Sequence, residues 1–227
     1  MPVPVEACEL FGDTLPMAER YAALLAGAGV ERGLVGPREA DRLWERHLLN
    51  CAVVAEMIGP KATVIDVGSG AGLPGIVLGI IRPDLSITLL EPLLRRVTFL
   101  SECVTELGLE HLAVQRARAE DVVGEFAADV VTARAVAPLD RLLGWGLPLL
   151  RPGGELLAMK GERAAAELEA AGPVLRSFGV RTAELRQVGH GKVDPPTTIV
   201  RVVAEGPSRV SGSARGGRKR GGRGRKR

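Results

Sequence analysis

The sequence predicts an open α/β fold, a seven-stranded and mostly parallel sheet with a helical segment ahead of it. Two observations carry that expectation. From Lys61 onward, short β-rich runs alternate with runs of helical period, the pattern of parallel βαβ crossovers that cover both faces of a sheet. Before that point the periodicity is helical throughout, and a glycine-rich turn marks the first passage from strand to helix.

Taken in order, Met17 to Ala28 places Tyr21, Leu24, Leu25 and Ala28 on one helical face. Pro37 suits the first turn of a second helix that continues through Leu43, His47 and Cys51. Residues 1–58 are thus expected as an N-terminal helical segment packed on the core, and residues 59–205 as the sheet domain. Strands are expected at Ala62–Val67, Ser86–Glu91, Leu112–Arg116, Asp129–Ala133, Gly154–Lys160, Val180–Val188 and Thr198–Val203. Helices are expected at Gly75–Ile81, Leu93–Leu107, Leu139–Leu150 and Glu162–Ser177. Only a short Gly/Pro-containing link, His190 to Pro196, joins the last two strands, so they should pair antiparallel as a hairpin at the sheet edge.

With 227 residues the chain can bury one sizeable core. Aromatic residues are only 3% of it, which argues against extensive base stacking on aromatic platforms. Cys8, Cys51 and Cys103 share no metal-like or CxxC spacing and read as free thiols in a reducing compartment. The N-terminus lacks the basic and apolar regions of a secretory signal, and the apolar runs are too short to span a bilayer. The expectation is a cytoplasmic protein without a membrane partner or a metal. The formal charge of +3 hides an asymmetry. Nine of the 30 Lys and Arg fall after residue 205, in a stretch without acids, leaving 21 against 27 acids in residues 1–205. An acidic body is therefore expected to carry a disordered basic tail over 206–227, of a kind that binds phosphates by displacing counterions.

The central motif is Thr63-Val-Ile-Asp-Val-Gly-Ser-Gly-Ala-Gly-Leu-Pro-Gly75. An apolar strand delivers Asp66, and Gly68, Gly70 and Gly72 let the backbone turn sharply with a ligand lying against it. Two cofactors compete for such a loop. Gly70-Ala-Gly-Leu-Pro-Gly75 matches the dinucleotide pattern GxGxxG, whose glycines cradle a pyrophosphate. The alternative reads Asp66 as beside S-adenosylmethionine, which has no phosphate and carries a sulfonium and an ammonium. A carboxylate favours those cations and opposes a pyrophosphate. Glu91, at the end of the next strand, can accept ribose hydroxyls from either cofactor. Ala119 and Glu120 follow the third strand, where an adenine would lie. Arg134 and Lys160 end the fourth and fifth strands at the same crevice. A nicotinamide-dependent oxidoreductase and a noncatalytic RNA-binding module remain the competing readings.

Together these segments resemble the 16S rRNA guanine-N7 methyltransferase family, also called glucose-inhibited division protein B or ribosomal RNA small subunit methyltransferase G. The resemblance runs from about residue 16 to residue 204. It rests on Trp44-Glu-Arg46-His47-Leu, Asp66-Val-Gly-Ser-Gly-Ala-Gly-Leu-Pro-Gly75, Leu90-Glu91 with Arg95-Arg96-Val-Thr-Phe-Leu100, Ala119-Glu120, Thr132-Ala-Arg134-Ala135 and Lys160-Gly161. It implies a class I, Rossmann-like methyltransferase fold and cofactor contacts at Gly68, Leu73, Ala119 with Glu120, and Arg134. Many members have Asp-Ser where this chain has Asn50-Cys51, and the basic tail lies outside the shared region.

The implied substrate is 16S rRNA or a small-subunit precursor particle. Guanine N7 has a free lone pair and no proton to lose, so its methylation needs alignment rather than a general base. No catalytic acid or base is expected. The chain lacks an Asp/Asn-Pro-Pro-aromatic segment after the fourth strand and the Pro-Cys motif of pyrimidine C6 chemistry. Arg46, His47, Arg134 and Lys160 are the expected substrate-binding residues, with cations available for phosphate or for the guanine O6 edge.

Overall fold

The computed structural model of the chain describes residues 2–205. The tail expected over 206–227 lies outside the described residues. The strands are β1 Thr63–Val67, β2 Ser86–Leu90, β3 Leu112–Gln115, β4 Ala128–Arg134, β5 Leu150–Lys160, β6 Ala183–Val188 and β7 Thr197–Val203. They form one sheet in the order β3-β2-β1-β4-β5-β7-β6. β1 to β5 are mutually parallel, and β7 runs antiparallel to both β5 and β6. The hairpin is as expected, with β7 inserted beside β5 so that β6 forms the edge.

Side-chain alternation along the strands makes a core on each face. In β1, Val64 joins the layer of helices α1 Val5–Phe11, α2 Leu15–Leu24, α3 Leu49–Ala52, α4 Gly75–Ile81 and α5 Leu94–Leu107. Its neighbour Ile65 joins the opposite layer, with α6 Leu139–Gly146, α7 Ala164–Ala170 and α8 Gly172–Ser177. Leu157 and Leu156 divide in the same way on β5.

The N-terminal residues do not stand apart. Phe11 meets Trp44 edge-on at 5.9 Å, and both belong to the core that contains Val64, Ile76 and Leu89. The last turn of this segment, Val53–Met57, is held by Arg82, whose guanidinium donates to the carbonyls of Ala55, Ile58 and Gly59. That contact satisfies carbonyls a helix end would otherwise leave bare.

Several boundaries depart from the expected ones, β6 among them, which begins at Ala183 and not at Val180. The helix expected over Glu162–Ser177 is two, α7 and α8, because Pro173 cannot donate the backbone bond that would continue the first. The helix expected to Leu150 ends at Gly146, and a 3-10 turn containing Pro148 follows. β5 then begins at Leu150, four residues before the expected start, and a register shift between Ala128 and Val130 accommodates the extra length. The second N-terminal helix starts at Pro37 as a 3-10 turn, widens to a π turn at Trp44–Leu48 and becomes regular at Leu49. No helix among the described residues is long and apolar enough to cross a membrane.

Candidate active site

The parallel strands β1, β2, β4 and β5 bring Asp66, Glu91, Arg134 and Lys160 to the crest formed by their carboxyl ends. Asp66, one residue before the end of β1, is 1% exposed. Both of its carboxylate oxygens are taken within the protein. Oδ2 accepts the Gly75 N–H at 3.1 Å, and Oδ1 accepts the Thr132 hydroxyl at 3.0 Å. Burial pushes its carboxyl from 3.8 up to about 6, a rise that the hydrogen bonds hold in check. At neutral pH the group is largely ionised, and its charge sits at the first turn of α4.

The loop after β1 turns back over β1 and β2. Gly68 and Ser69 both donate backbone N–H to the carbonyl of Leu90. Gly70 adopts φ +60, and a β-carbon there would meet only its own loop's Gly68 carbonyl, at 3.7 Å. The chain at this point therefore presents bare backbone to the crest, as a closely held ligand requires. Leu73, half-buried, lies on the same loop.

Glu91 is the neighbouring carboxylate and is 1% exposed. Its Oε2 accepts the Gly70 N–H at 3.0 Å, and its Oε1 accepts the Leu93 N–H at 3.0 Å. Arg96 approaches Oε2 at 3.5 Å. Glu91 thus ties the glycine loop to the start of α5 and keeps acceptor capacity, since a carboxylate has about four acceptor positions. Beyond β3, Ala119 is buried and Glu120 exposed at the start of a 3-10 turn, Ala119–Val122.

Arg134 ends β4 and reaches the N-terminal segment. It donates to the Arg46 carbonyl at 3.1 Å, to Cys51 Sγ at 3.2 Å and to His47 Nδ1. Accepting at Nδ1 leaves the His47 proton on Nε2, which donates to Glu39 at 3.0 Å. Burial, followed by the Arg134 guanidinium, lowers the His47 pKa against the pull of Glu39, so the ring is neutral at pH 7. Arg46 points outward, half exposed, with Glu39 at 3.3 Å. Arg46, His47 and Arg134 form one connected group.

Lys160 stands on β5 and is engaged elsewhere. Its ammonium donates to the Ala137 carbonyl at 2.7 Å and to Glu167 at 2.8 Å. Glu167 also accepts the Leu139 N–H, so the pair fastens the β4–α6 loop to α7. No group of His, Cys, Asp and Glu among the described residues could hold a metal ion.

Three contributors were not singled out from the sequence for a polar role. Thr132 donates to Asp66, Glu39 pairs with both Arg46 and His47, and the Tyr21 hydroxyl donates to the Ala71 carbonyl at 2.7 Å. Only Tyr21 left a usable signal. A tyrosine on an otherwise apolar helix face must find a partner for its hydroxyl when buried.

Comparison with known proteins fixes the lineage. A family model for rRNA small subunit methyltransferase G matches residues 14–192. The chain belongs to that family. Ribosomal RNA small subunit methyltransferase G of Thermobifida fusca is 61% identical, over 99% of this chain and 98% of the relative. The protein of the same name in Streptomyces avermitilis is 58% identical, over 94% and 91%. Among solved structures, a precorrin-6y C5,15-methyltransferase from Geobacter metallireducens superposes with a TM-score of 0.51 at 16% identity, covering 74% of this chain and 89% of that one. An S-adenosylmethionine-dependent O-methyltransferase from Thermotoga maritima gives 0.54 at 13% identity, covering 68% and 64%. The fold of this rRNA small subunit methyltransferase G family member is the class I, Rossmann-like methyltransferase fold.

Proposed function

We propose that the crest binds S-adenosylmethionine and that the chain directs its methyl group to N7 of a guanine in small-subunit rRNA. Family membership makes the chain an S-adenosylmethionine-dependent methyltransferase of that RNA. The observation that carries the cofactor reading is the contact between Asp66 and Gly75 N–H. A dinucleotide needs the first N–H groups of that helix for its diphosphate. Here an internal carboxylate holds one of them, and the same negative charge favours a cationic ligand.

When bound, S-adenosylmethionine would supply a methyl carbon open to in-line attack by a lone pair, with the C–S electron pair leaving on the neutral thioether of S-adenosylhomocysteine. The chain's own residues bind and align. The backbone of Gly68, Gly70 and Leu73 borders the ligand, Glu91 accepts the ribose hydroxyls, and Ala119 with Glu120 borders the adenine. Arg134 offers its remaining N–H donors to the cofactor carboxylate or to the guanine O6 edge, with Arg46 and His47 beside it. Lys160 has a third N–H for the RNA. Guanine N7 gives up no proton, which agrees with a site whose buried carboxylates are all bonded to backbone or hydroxyl donors. Alignment of N7 within about 3–3.5 Å of the methyl carbon then does the chemical work.

The test is transfer of radiolabelled methyl from S-adenosylmethionine to naked 16S rRNA and to small-subunit precursor particles. The position is mapped by strand cleavage specific for N7-methylguanosine. Label recovered at a ring position other than N7, or on another RNA alone, would overturn the substrate assignment.

A further inference from the structure

We infer that Tyr21 is a positioning residue for the methyl donor, acting through the glycine loop. The inference rests on the crest being the cofactor site. Tyr21 is the chain's only tyrosine, and it lies on α2, wholly buried, outside the strand-loop-helix unit that forms the loop. Its hydroxyl donates to the Ala71 carbonyl at 2.7 Å, across 50 residues of sequence. The other side of that same peptide is the Gly72 N–H, which donates to the Ser69 carbonyl at 2.7 Å. The Ala71–Gly72 peptide is therefore pinned at both ends.

Pinning matters because the residue after this carbonyl is a glycine. Gly72 has φ +100, a region open to glycine that does little to resist rotation of the preceding peptide. Nor can bulk replace the hydrogen bond. A β-carbon at Gly72 would lie 2.8 Å from the Tyr21 oxygen and 2.5 Å from Ile76 Cδ1, so this position stays bare and its conformation is set from outside. Released from Tyr21, the Ala71 carbonyl would lack a partner in a buried setting or turn toward another, carrying Gly70 and the Glu91 contact with it. A tyrosine serving only as core filler would be replaceable by phenylalanine. A hydroxyl kept in an apolar interior costs stability unless bonded, and its one bond goes to the loop.

The loop borders the donor before and during transfer alike, so its shape affects binding and not the chemical step. Calorimetric titration with S-adenosylmethionine compares the wild type, Tyr21→Phe and Leu25→Ala, the last being a core truncation on the turn that continues α2. Tyr21→Phe is expected to raise the cofactor Kd and KM five- to tenfold, with kcat and the KM for rRNA unchanged. Leu25→Ala is expected to lose more thermal stability yet keep its Kd within twofold. A Tyr21→Phe Kd within twofold of wild type, or an equal weakening in Leu25→Ala, overturns the inference. Failure of the wild type itself to bind would instead sink the assignment of the site. Should a variant fail to fold, labelling the lone tyrosine with carbon-13 at Cζ gives one resonance in the intact protein. It is expected to shift on saturation with S-adenosylmethionine, and an unmoved resonance overturns the inference.

Discussion

Asp66→Asn removes a charge from the crest while leaving a side chain of nearly the same shape. The amide oxygen can accept from Gly75, and the amide nitrogen can donate to the Thr132 hydroxyl, which is able to accept in turn. The substitution has two effects of opposite sign. The Asp66 carboxyl titrates at about 6 in the folded protein against 3.8 for the ordinary value, and a pK unit is worth 1.36 kcal/mol. The folded state therefore holds this proton more tightly than the unfolded chain. Fold stability falls as pH rises from about 4 to about 6 and is flat above, with the ionised group costing about 3 kcal/mol at pH 7. Asparagine carries no such cost, so the variant is expected to be more stable than wild type at pH 7, by up to about 3 kcal/mol, and to match it near pH 4. Cofactor binding moves the other way. For an assumed separation of about 8 Å and an effective dielectric constant of about 20, unit charges attract by about 2 kcal/mol, or about 30-fold in Kd. S-adenosylhomocysteine lacks the sulfonium and loses less. The assays are urea unfolding between pH 4 and 8 and calorimetric titration with both ligands. A variant that keeps the wild-type ratio of the two affinities would refute the charge argument. One that is less stable than wild type at pH 7 would refute the burial cost.

Thr132→Val keeps the buried shape and deletes the 3.0 Å bond to Asp66, so it is expected to raise that carboxyl further above 6 and cost about 1–3 kcal/mol in urea unfolding. The pH at which S-adenosylmethionine binding weakens on acidification should move upward with it. Arg134→Ala removes three donors to the N-terminal segment and is expected to raise the KM for cofactor or rRNA at least tenfold in initial-rate assays, beyond any loss of melting temperature. Deleting residues 206–227 removes nine positive charges and is expected to weaken rRNA binding and flatten its dependence on salt, read as the slope of log K against log salt concentration.

The linear chain disclosed the features that local pattern encodes. Alternating strand and helix periods announced the parallel sheet. Asp66, the bare Gly70 and Glu91 came from a single strand-loop-helix unit and the strand after it, where spacing alone dictates proximity. Boundaries were less legible wherever proline or a bulge intervened, as at Pro173 and at the early start of β5. Partner choice was hidden, because it depends on which side chains the folded layers bring together and on where water is excluded. Nothing in the motif said that Asp66 would spend both oxygens on Gly75 and Thr132, or that Lys160 would turn to Glu167. The bonds from Tyr21 to Ala71 and from Arg134 to Arg46, His47 and Cys51 span 50 to 88 residues. Such contacts exist only after the N-terminal helices have packed on the sheet, where an unpaired polar atom is costly and these donors take the partners that burial leaves within reach.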